Sequence, residues 1–205
     1  ATPRGGFSVQ EYWQLLRKAR ALEGQVHPVT KTLGAQEKYW IARELLVMPA
    51  DIAWVIGFMV NTFVRPGDIK KMKHKHIEEV RGKYVYLRMN LPETKRHDKP
   101  IVSMRAAVRI FRAIQARNAA NGHGGPDDFL FLPQVANREH ALAVMNQLFH
   151  WVMAECGLSK GPLGQARTLY SLRHTAITFR LLYGQGIDML TLARNARTSV
   201  DMIEN

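Results

Sequence analysis

Two arginines that are far apart in the sequence lie in settings suited to work on a phosphate group. Pro66 disfavours helical geometry for Arg65, so Arg65 should stand at a break between two helices, with Asp68 in the first turn of the second. Arg173 is predicted near the start of a later helix, on the same face as Tyr170. A guanidinium is a planar fork that meets two oxygens at once, so this pair could stabilise charge building up on a phosphodiester. Taken singly, either arginine would more often be a surface ion-pair partner.

The charge balance favours the same class of partner. The 205 residues contain 29 Lys and Arg against 17 Asp and Glu, a formal net charge of +12. Such an excess attracts polyanions, so DNA or RNA is the leading partner class and an acidic membrane surface the second. The longest apolar stretch, 52–64, is too short to span a membrane, and no membrane partner is expected. The single cysteine, Cys156, excludes an internal disulfide and fits a reducing compartment, most simply the cytoplasm.

The length predicts one domain over residues 1–205, with 1–6 as a flexible start. Its first helix should begin after Ser8, because Ser8 and Glu11 have the spacing of a capping box. Apolar periodicity and turn residues predict the other helices. These are expected at 35–48, at 51–63 with Asp51 as the cap, and at 105–118, 141–156, 171–183, 187–195 and 199–205.

A small sheet is predicted in the middle of the chain. Alternating apolar residues over 74–90, with a turn at 81–83, indicate an antiparallel hairpin, and 100–104 indicates a third strand. His74 and His76 would then face the same way from a strand, as two metal ligands could. No third ligand follows from the spacing, so a strand that faces solvent or DNA is preferred and no metal is expected. The fold class is α+β, predominantly helical, with a three-stranded antiparallel sheet.

Four segments, in order, resemble the characteristic boxes of the tyrosine recombinase (phage integrase) family. The run 65–69 resembles the first arginine box, and the loop after the hairpin, which contains Lys95, resembles the loop of the catalytic lysine. The segment 170–175 resembles the second box, usually His-x-x-Arg-His, and the tail 192–205 looks like the stretch that carries the third box and leads to the tyrosine. The resemblance covers roughly residues 7–205 and implies the fold of that family's catalytic domain.

The resemblance also implies a chemistry. In the family a tyrosine attacks a phosphodiester and forms a 3′-phosphotyrosyl link, and the strand is then religated to a different 5′ hydroxyl. The reaction requires no ATP, metal or other cofactor. Arg65 and Arg173 would clamp the transition state, and Lys95 would protonate the leaving 5′ oxygen. The alternative for Lys95 is a solvated loop lysine.

Two positions depart from the family pattern. Tyr170 stands where most relatives have a histidine, and Thr198 stands where they have a histidine or tryptophan. A phenol can donate a hydrogen bond to phosphate but gives up its proton only near about pH 10 in water, so it is a poor proton shuttle. Tyr170 could instead pack on the core, and Thr198 could cap the last helix. His174 follows Arg173 as in the family, where it is more often supportive than directly catalytic.

Double-stranded DNA is the expected partner. Lys70, Lys71 and Lys73 lie close after the first arginine and are expected to contact phosphates, together with Arg96 and His174; the alternative for the lysine run is an exposed face. The resemblance implies tetramers on paired DNA sites for the full-length protein. It also places an amino-terminal DNA-gripping domain before this chain and the nucleophilic tyrosine just beyond Asn205, so this chain alone is not expected to cut DNA.

Two rival hypotheses remain at this point. The first is a degenerate relative that only binds DNA as a regulatory or accessory protein, which Tyr170 and Thr198 favour. The second is an unrelated helical DNA-binding regulator whose arginines match the boxes by accident. The second rival fails if Arg65, Lys95 and Arg173 converge within a few ångströms on one basic cleft.

Overall fold

The computed structural model describes residues 5–34, 37–91 and 100–183. In these residues the α-helices and strands follow the order expected for a helical α+β domain with a small inserted sheet. The helices are α1 (Val9–Leu22), α2 (Ala50–Thr62), α3 (Pro66–Lys71), α4 (Arg105–Ala120), α5 (Arg138–Glu155) and α6 (Leu169–Tyr183), and the strands are β1 (Ile77–Arg81), β2 (Val85–Met89) and β3 (Ile101–Val102). The predicted fold class is therefore confirmed.

Helix α2 is the centre of the core. It packs against α1, α4, α5 and α6. Its sequence is apolar on nearly every face, and Trp54 and Asn61 are the positions along it that remain partly exposed besides its first residue. A helix that is hydrophobic all round has to be buried, which explains its central place. The helix ends at Phe63, a buried residue in the left-handed conformation with φ of 61°, and this sharp turn directs the chain into α3.

Helix α1 begins with the predicted capping box. The Ser8 hydroxyl accepts a hydrogen bond from the Glu11 amide at 3.1 Å, and the Glu11 carboxylate accepts one from the Ser8 amide at 2.9 Å. Glu11 also pairs with both terminal nitrogens of the buried Arg167, at 2.8 and 3.0 Å. Because Arg167 lies just before α6, this ion pair ties the first helix to the sixth.

The sheet is antiparallel in the order β1-β2-β3, as predicted. Ile77 pairs with Met89 at one end of the hairpin, and Arg81 pairs with Val85 at the other. Leu87 and Met89 point into the core from β2, so a one-residue slip of the strand would expose both. The third strand is only two residues long, shorter than the predicted 100–104.

The helix predicted at 35–48 is wrong over its described part, 37–48. This segment contains a single turn of 3-10 helix, Arg43–Leu46, and otherwise runs without helix. Its backbone pairs with the residues that follow α1: the Met48 amide donates to Gln25 at 2.9 Å, and the Met48 carbonyl accepts from Gly24 at 2.9 Å. Backbone partners from a distant segment therefore outweigh the local helical preference.

The predicted capping role of Asp51 is also wrong. The residue at the N-cap of α2 is Pro49, and Asp51 lies in the first turn with 1% of its surface exposed. Its two carboxylate oxygens accept from Arg117 at 2.6 and 2.8 Å, and one of them also accepts from the Leu132 amide at 2.8 Å. Asp51 thus joins α2, α4 and the segment before α5.

His74 and His76 lie in a 3-10 turn, not on a strand. His76 accepts a hydrogen bond on Nδ1 from the Lys73 amide at 2.9 Å, and the His74 Nε2 lies 3.2 Å from the Asn118 side-chain nitrogen. Burial lowers the pKa of both imidazoles, and the charges of Lys75 and Lys73 lower that of His76 further. In the part of the chain that the structure describes, no three His, Cys, Asp or Glu side chains are grouped as a metal site would need.

We expect Asp51→Ala to lower the free energy of unfolding by about 3–5 kcal/mol, because it leaves the Arg117 charge and the Leu132 amide without their partner in a mostly buried place. Urea unfolding followed by circular dichroism measures the change. Asp127→Ala is the matched control, since Asp127 pairs with Lys75 at the surface, and it should leave the unfolding midpoint nearly unchanged. Equal effects of the two substitutions would contradict this account of Asp51.

Candidate active site

Arg65 lies at the break between α2 and α3, as its sequence context predicts. Phe63 and Val64 are buried, and Arg65 itself is extended, with φ of −90° and ψ of 158°, directly before Pro66 at the first position of α3. The Arg65 amide donates to the buried Asp68 carboxylate at 2.8 Å. The backbone on both sides of Arg65 is thus fixed, while its side chain is half-buried at the surface.

Arg173 approaches the same junction from α6. Its side chain is buried, with only 3% of the residue exposed, and its guanidinium donates to the Phe63 carbonyl. Burial lowers the pKa of Arg173 to about 10, and the neighbouring charge of Arg65 adds to this effect. Because the Phe63 carbonyl lies two residues before Arg65, this hydrogen bond places Arg173 at the junction where Arg65 stands. With a pKa near 10, Arg173 still carries its charge at neutral pH.

Tyr170 completes this arrangement. Its phenol interacts with Arg173, including through a side-chain hydrogen bond that raises the arginine's pKa and so offsets part of the lowering. Its ring meets His174 edge-on, with centroids 5.3 Å apart. Tyr170 is half-buried, so it is not a fully buried core aromatic.

A small surface cavity of about 340 Å³ brings several of these side chains together. Its wall is formed by the loop and first turn of α3, by the two lysines at the end of that helix, and by Tyr170 from α6. The residues that line it are Arg65, Pro66, Gly67, Asp68, Lys70, Lys71 and Tyr170. A cavity whose polar wall holds an arginine, two lysines and a phenol is suited to an anion.

The lysines after Arg65 do not form one uniform basic face. Lys70 pairs with Glu139 of α5, and Lys71 is exposed beside the cavity. Lys73 lies outside the cavity lining, with its ammonium 5.2 Å from the centre of the Phe129 ring. His174 packs on Tyr170 and is likewise absent from that lining.

Three predicted site residues lie outside the described residues. Lys95 and Arg96 fall in 92–99, and Thr198 falls in 184–205. Their roles stay predictions.

Arg138 is a positioning residue that the sequence did not reveal. Its guanidinium donates to four backbone carbonyls, those of Lys70 at 2.6 Å, Phe131 at 2.6 Å, and Leu132 and Val135 at 2.9 Å. It also stacks 4.0 Å from the centre of the Phe129 ring, and burial lowers its pKa to about 10. Because one of these carbonyls belongs to α3, Arg138 fixes the helix that follows Arg65. No local motif signals such a role, since α3 is distant from Arg138 in the sequence.

The same fold is found in solved structures of site-specific recombinases. The XerH recombinase bound to difH substrate, in a pre-cleavage complex, aligns with a TM-score of 0.62 at 14% identity, over 97% of this chain and 49% of that chain. The XerA recombinase aligns with a TM-score of 0.59 at 15% identity, over 100% of this chain and 59% of that one. A lambda integrase dimer bound to a COC′ core site aligns with a TM-score of 0.59 at 14% identity, over 100% and 49%. No family model and no curated protein matches the sequence.

The chain therefore has the fold of tyrosine recombinase catalytic domains. It spans 49% of the length of the XerH and lambda integrase chains, about half. Among the helices described between residues 5 and 183, none has both the length and the apolar character needed to cross a lipid bilayer.

We expect inorganic phosphate to stabilise the chain, because an anion in the cavity neutralises the positive charges of Arg65 and Lys71 on its wall. At roughly ten times the dissociation constant the gain is about 1.4 kcal/mol. It is measured as a rise in Tm over that in sodium chloride of equal ionic strength. Arg65→Gln should remove most of this rise, and Lys31→Gln, at an exposed residue outside the cavity, should keep it. A phosphate effect that survives Arg65→Gln would place the anion elsewhere.

Proposed function

We propose that this chain is the catalytic domain of a site-specific DNA recombinase or integrase, which cuts and rejoins DNA strands through a 3′-phosphotyrosyl intermediate. The observation that carries the proposal is the meeting of Arg65 and Arg173 at the α2–α3 junction, with Tyr170 beside them and a small cationic cavity in front. The fold supports it, because similar structures include XerH bound to difH substrate and lambda integrase bound to a core site.

The proposed reaction conserves the energy of the phosphodiester bond. A tyrosine oxygen attacks the phosphorus, the bond from phosphorus to the 5′ oxygen breaks, and the leaving oxygen takes up a proton. A 5′ hydroxyl of another strand then attacks the phosphotyrosine and releases the tyrosine. One phosphoester bond is exchanged for another in each step, so the reaction needs no ATP, and the positive charge needed at phosphorus comes from side chains in place of a metal.

In this scheme Arg65 and Arg173 stabilise the negative charge on the non-bridging oxygens. The carbonyl of Phe63 is one acceptor for Arg173, whose guanidinium has five N–H donors, so the contact also orients the fork. Tyr170 donates a hydrogen bond to the phosphate in the place of the family's histidine. Thr198, in the third box, is proposed as a further hydrogen-bond donor to the phosphate.

Lys95 is proposed as the general acid for the leaving 5′ oxygen. The nucleophilic tyrosine is proposed to follow Asn205, since residues 184–205 include no tyrosine. Both assignments rest on the resemblance to the family.

The proposed substrate is double-stranded DNA, in keeping with the net charge of +12. Lys71 has the most favourable position for a phosphate contact, because it is exposed at the rim of the cavity. Lys70, Lys73, Arg96 and His174 are proposed as further DNA contacts. For the full-length protein we propose tetramers on paired DNA sites and a cytoplasmic location.

A second candidate function is DNA binding without cleavage. Tyr170 favours it, because the phenol next to Arg173 can hold a phosphate but is a poor proton shuttle at neutral pH. The recombinase fold and the approach of Arg173 to the junction of Arg65 speak against the accidental-match hypothesis, while Lys95, the third residue of that comparison, lies outside the described residues.

The test uses the chain extended through the residues that its gene encodes after Asn205, mixed with nicked duplexes of varied sequence. We expect a covalent protein–DNA adduct on a denaturing gel. Arg173→Ala should slow adduct formation about 100- to 1,000-fold, because it removes one preorganised donor, while duplex affinity falls only a little. Arg81→Ala, on the exposed end of β1, is the control and should form adduct at the normal rate.

Two results would favour the binding-only function. One is a gene that encodes no tyrosine after Asn205. The other is the absence of adduct from every duplex, together with an Arg173→Ala variant that binds all duplexes more weakly to the same degree.

A further inference from the structure

A second, larger concave surface lies away from the candidate active site. We call it the α1–α4 groove: helices α1 and α4 form its two rims, α2 forms its floor, and its volume is about 1040 Å³. Apolar side chains predominate on the floor and inner walls, where Leu16, Ala53 and Val108 are buried and Ile110 is partly exposed. Neither Arg65 nor Arg173 contributes to it.

The rims of the groove are cationic. Arg105, Arg109 and Arg112 recur every three or four residues along α4, so they share one stripe of that helix, and Arg20 faces them from α1. Arg112 pairs with Glu79. The other three arginines make no ion pair within residues 5–34, 37–91 and 100–183. They are Arg20, Arg105 and Arg109.

Two tryptophans add to the groove. Trp13 on α1 leaves 49% of its surface exposed, and Trp54 on α2 is partly exposed next to it in the lining. Tryptophan and arginine are the residues that most often dominate the binding energy of protein interfaces. An apolar trough with tryptophans inside and arginines on both edges has the pattern of a helix-binding groove.

We propose that the α1–α4 groove binds an acidic amphipathic helix of a partner protein. The apolar stripe of such a helix would lie on the floor of the groove, and its carboxylates would pair with Arg20 on one rim and with Arg105 and Arg109 on the other. Complementary charge on both edges sets the orientation of the helix and speeds its capture.

Other occupants fit the groove less well. A sugar–phosphate backbone would satisfy the arginines but leave the apolar floor uncovered. Two free copies of the chain, without DNA to neutralise their charge, each carry a net charge of +12 and repel each other. The chain's own residues 184–205 contain three acidic and two basic side chains, too nearly neutral to match four arginines.

The probe for this proposal is a fluorescein-labelled peptide of about 18 residues, five helical turns, with leucines on one stripe and glutamates elsewhere. We expect it to bind the wild-type chain by fluorescence anisotropy. A peptide of the same composition with its stripe scrambled should bind at least about tenfold more weakly, and so should one with lysine in place of glutamate.

Variants of the chain locate the binding surface. The double variant Arg105→Glu and Arg109→Glu should weaken the peptide at least about tenfold, because both exposed charges on one rim become repulsive. The matched double variant Lys31→Glu and Lys160→Glu changes the net charge equally at exposed residues outside the groove and should bind nearly as well as wild type. Trp13→Ala should also weaken the peptide.

Several outcomes would overturn the proposal. Equal weakening by the two double variants, or equal binding of the scrambled peptide, would show nonspecific attraction. Displacement of the peptide by duplex DNA, abolished by Arg105→Glu and Arg109→Glu, would identify the groove as a DNA surface. No peptide binding, with acrylamide quenching of the tryptophan fluorescence left unchanged by Trp13→Phe, would show that the chain covers the groove itself. Arg173→Ala should leave peptide binding intact, so this inference and the proposed function fail separately.

Discussion

The contact on which the candidate site depends is the one between the guanidinium of Arg173 and the carbonyl of Phe63. Phe63 is buried and has a positive φ, so its carbonyl direction is set by the turn that ends α2. This contact fixes the position of helix α6 relative to the junction between α2 and α3. Arg65, two residues after Phe63, consequently meets Arg173 and Tyr170. With another backbone conformation at Phe63, its carbonyl would not face Arg173, and Arg65 and Arg173 would lie apart on the surface.

The buried Arg167 and the half-buried Arg138 hold distant segments of this domain together through contacts that apolar packing does not provide. Arg138 and Arg167 each donate to several backbone carbonyls, and each lies over an aromatic ring, Phe129 and Phe7 respectively. Removing a cation from water costs several kcal/mol, which well-placed acceptors offset at every guanidinium nitrogen of Arg138 and at both terminal nitrogens of Arg167. The buried Nε of Arg167 has no acceptor among the residues that the structure describes. These contacts join segments that are far apart in sequence, and they keep the surroundings of the cavity in one arrangement.

The candidate site also holds the positive charges of Arg65 and Arg173 closer to each other than they would be in the unfolded chain. Burial and the charge of Arg65 lower the pKa of Arg173, which means that the folded chain holds this proton less tightly than the unfolded one. The neighbouring Tyr170 and Asp68 offset part of this cost, and the pKa of Arg173 remains lowered to about 10. A site preorganised in this way gains most when a ligand with more than one negative oxygen arrives, as a phosphate undergoing attack does.

Local patterns in the sequence determined several features of this protein. The capping box at Ser8, the helix break at Arg65 and the alternation of the hairpin depend on neighbours within a few residues, and the structure has all three. The segment 37–48 and the role of Asp51 were not predictable in the same way, because their backbone and side-chain partners come from distant parts of the chain.

For the site, the sequence by itself determined which residue types were present, their order along the chain and the large positive charge. Only the tertiary structure decided that Arg173 reaches the junction of Arg65, that Tyr170 lines the cavity beside Arg65, and that Arg138 fixes α3 from α5. The physical reason is that these contacts run from side chains to particular backbone carbonyls. Their positions depend on the whole path of the chain, and no short spacing rule encodes that path.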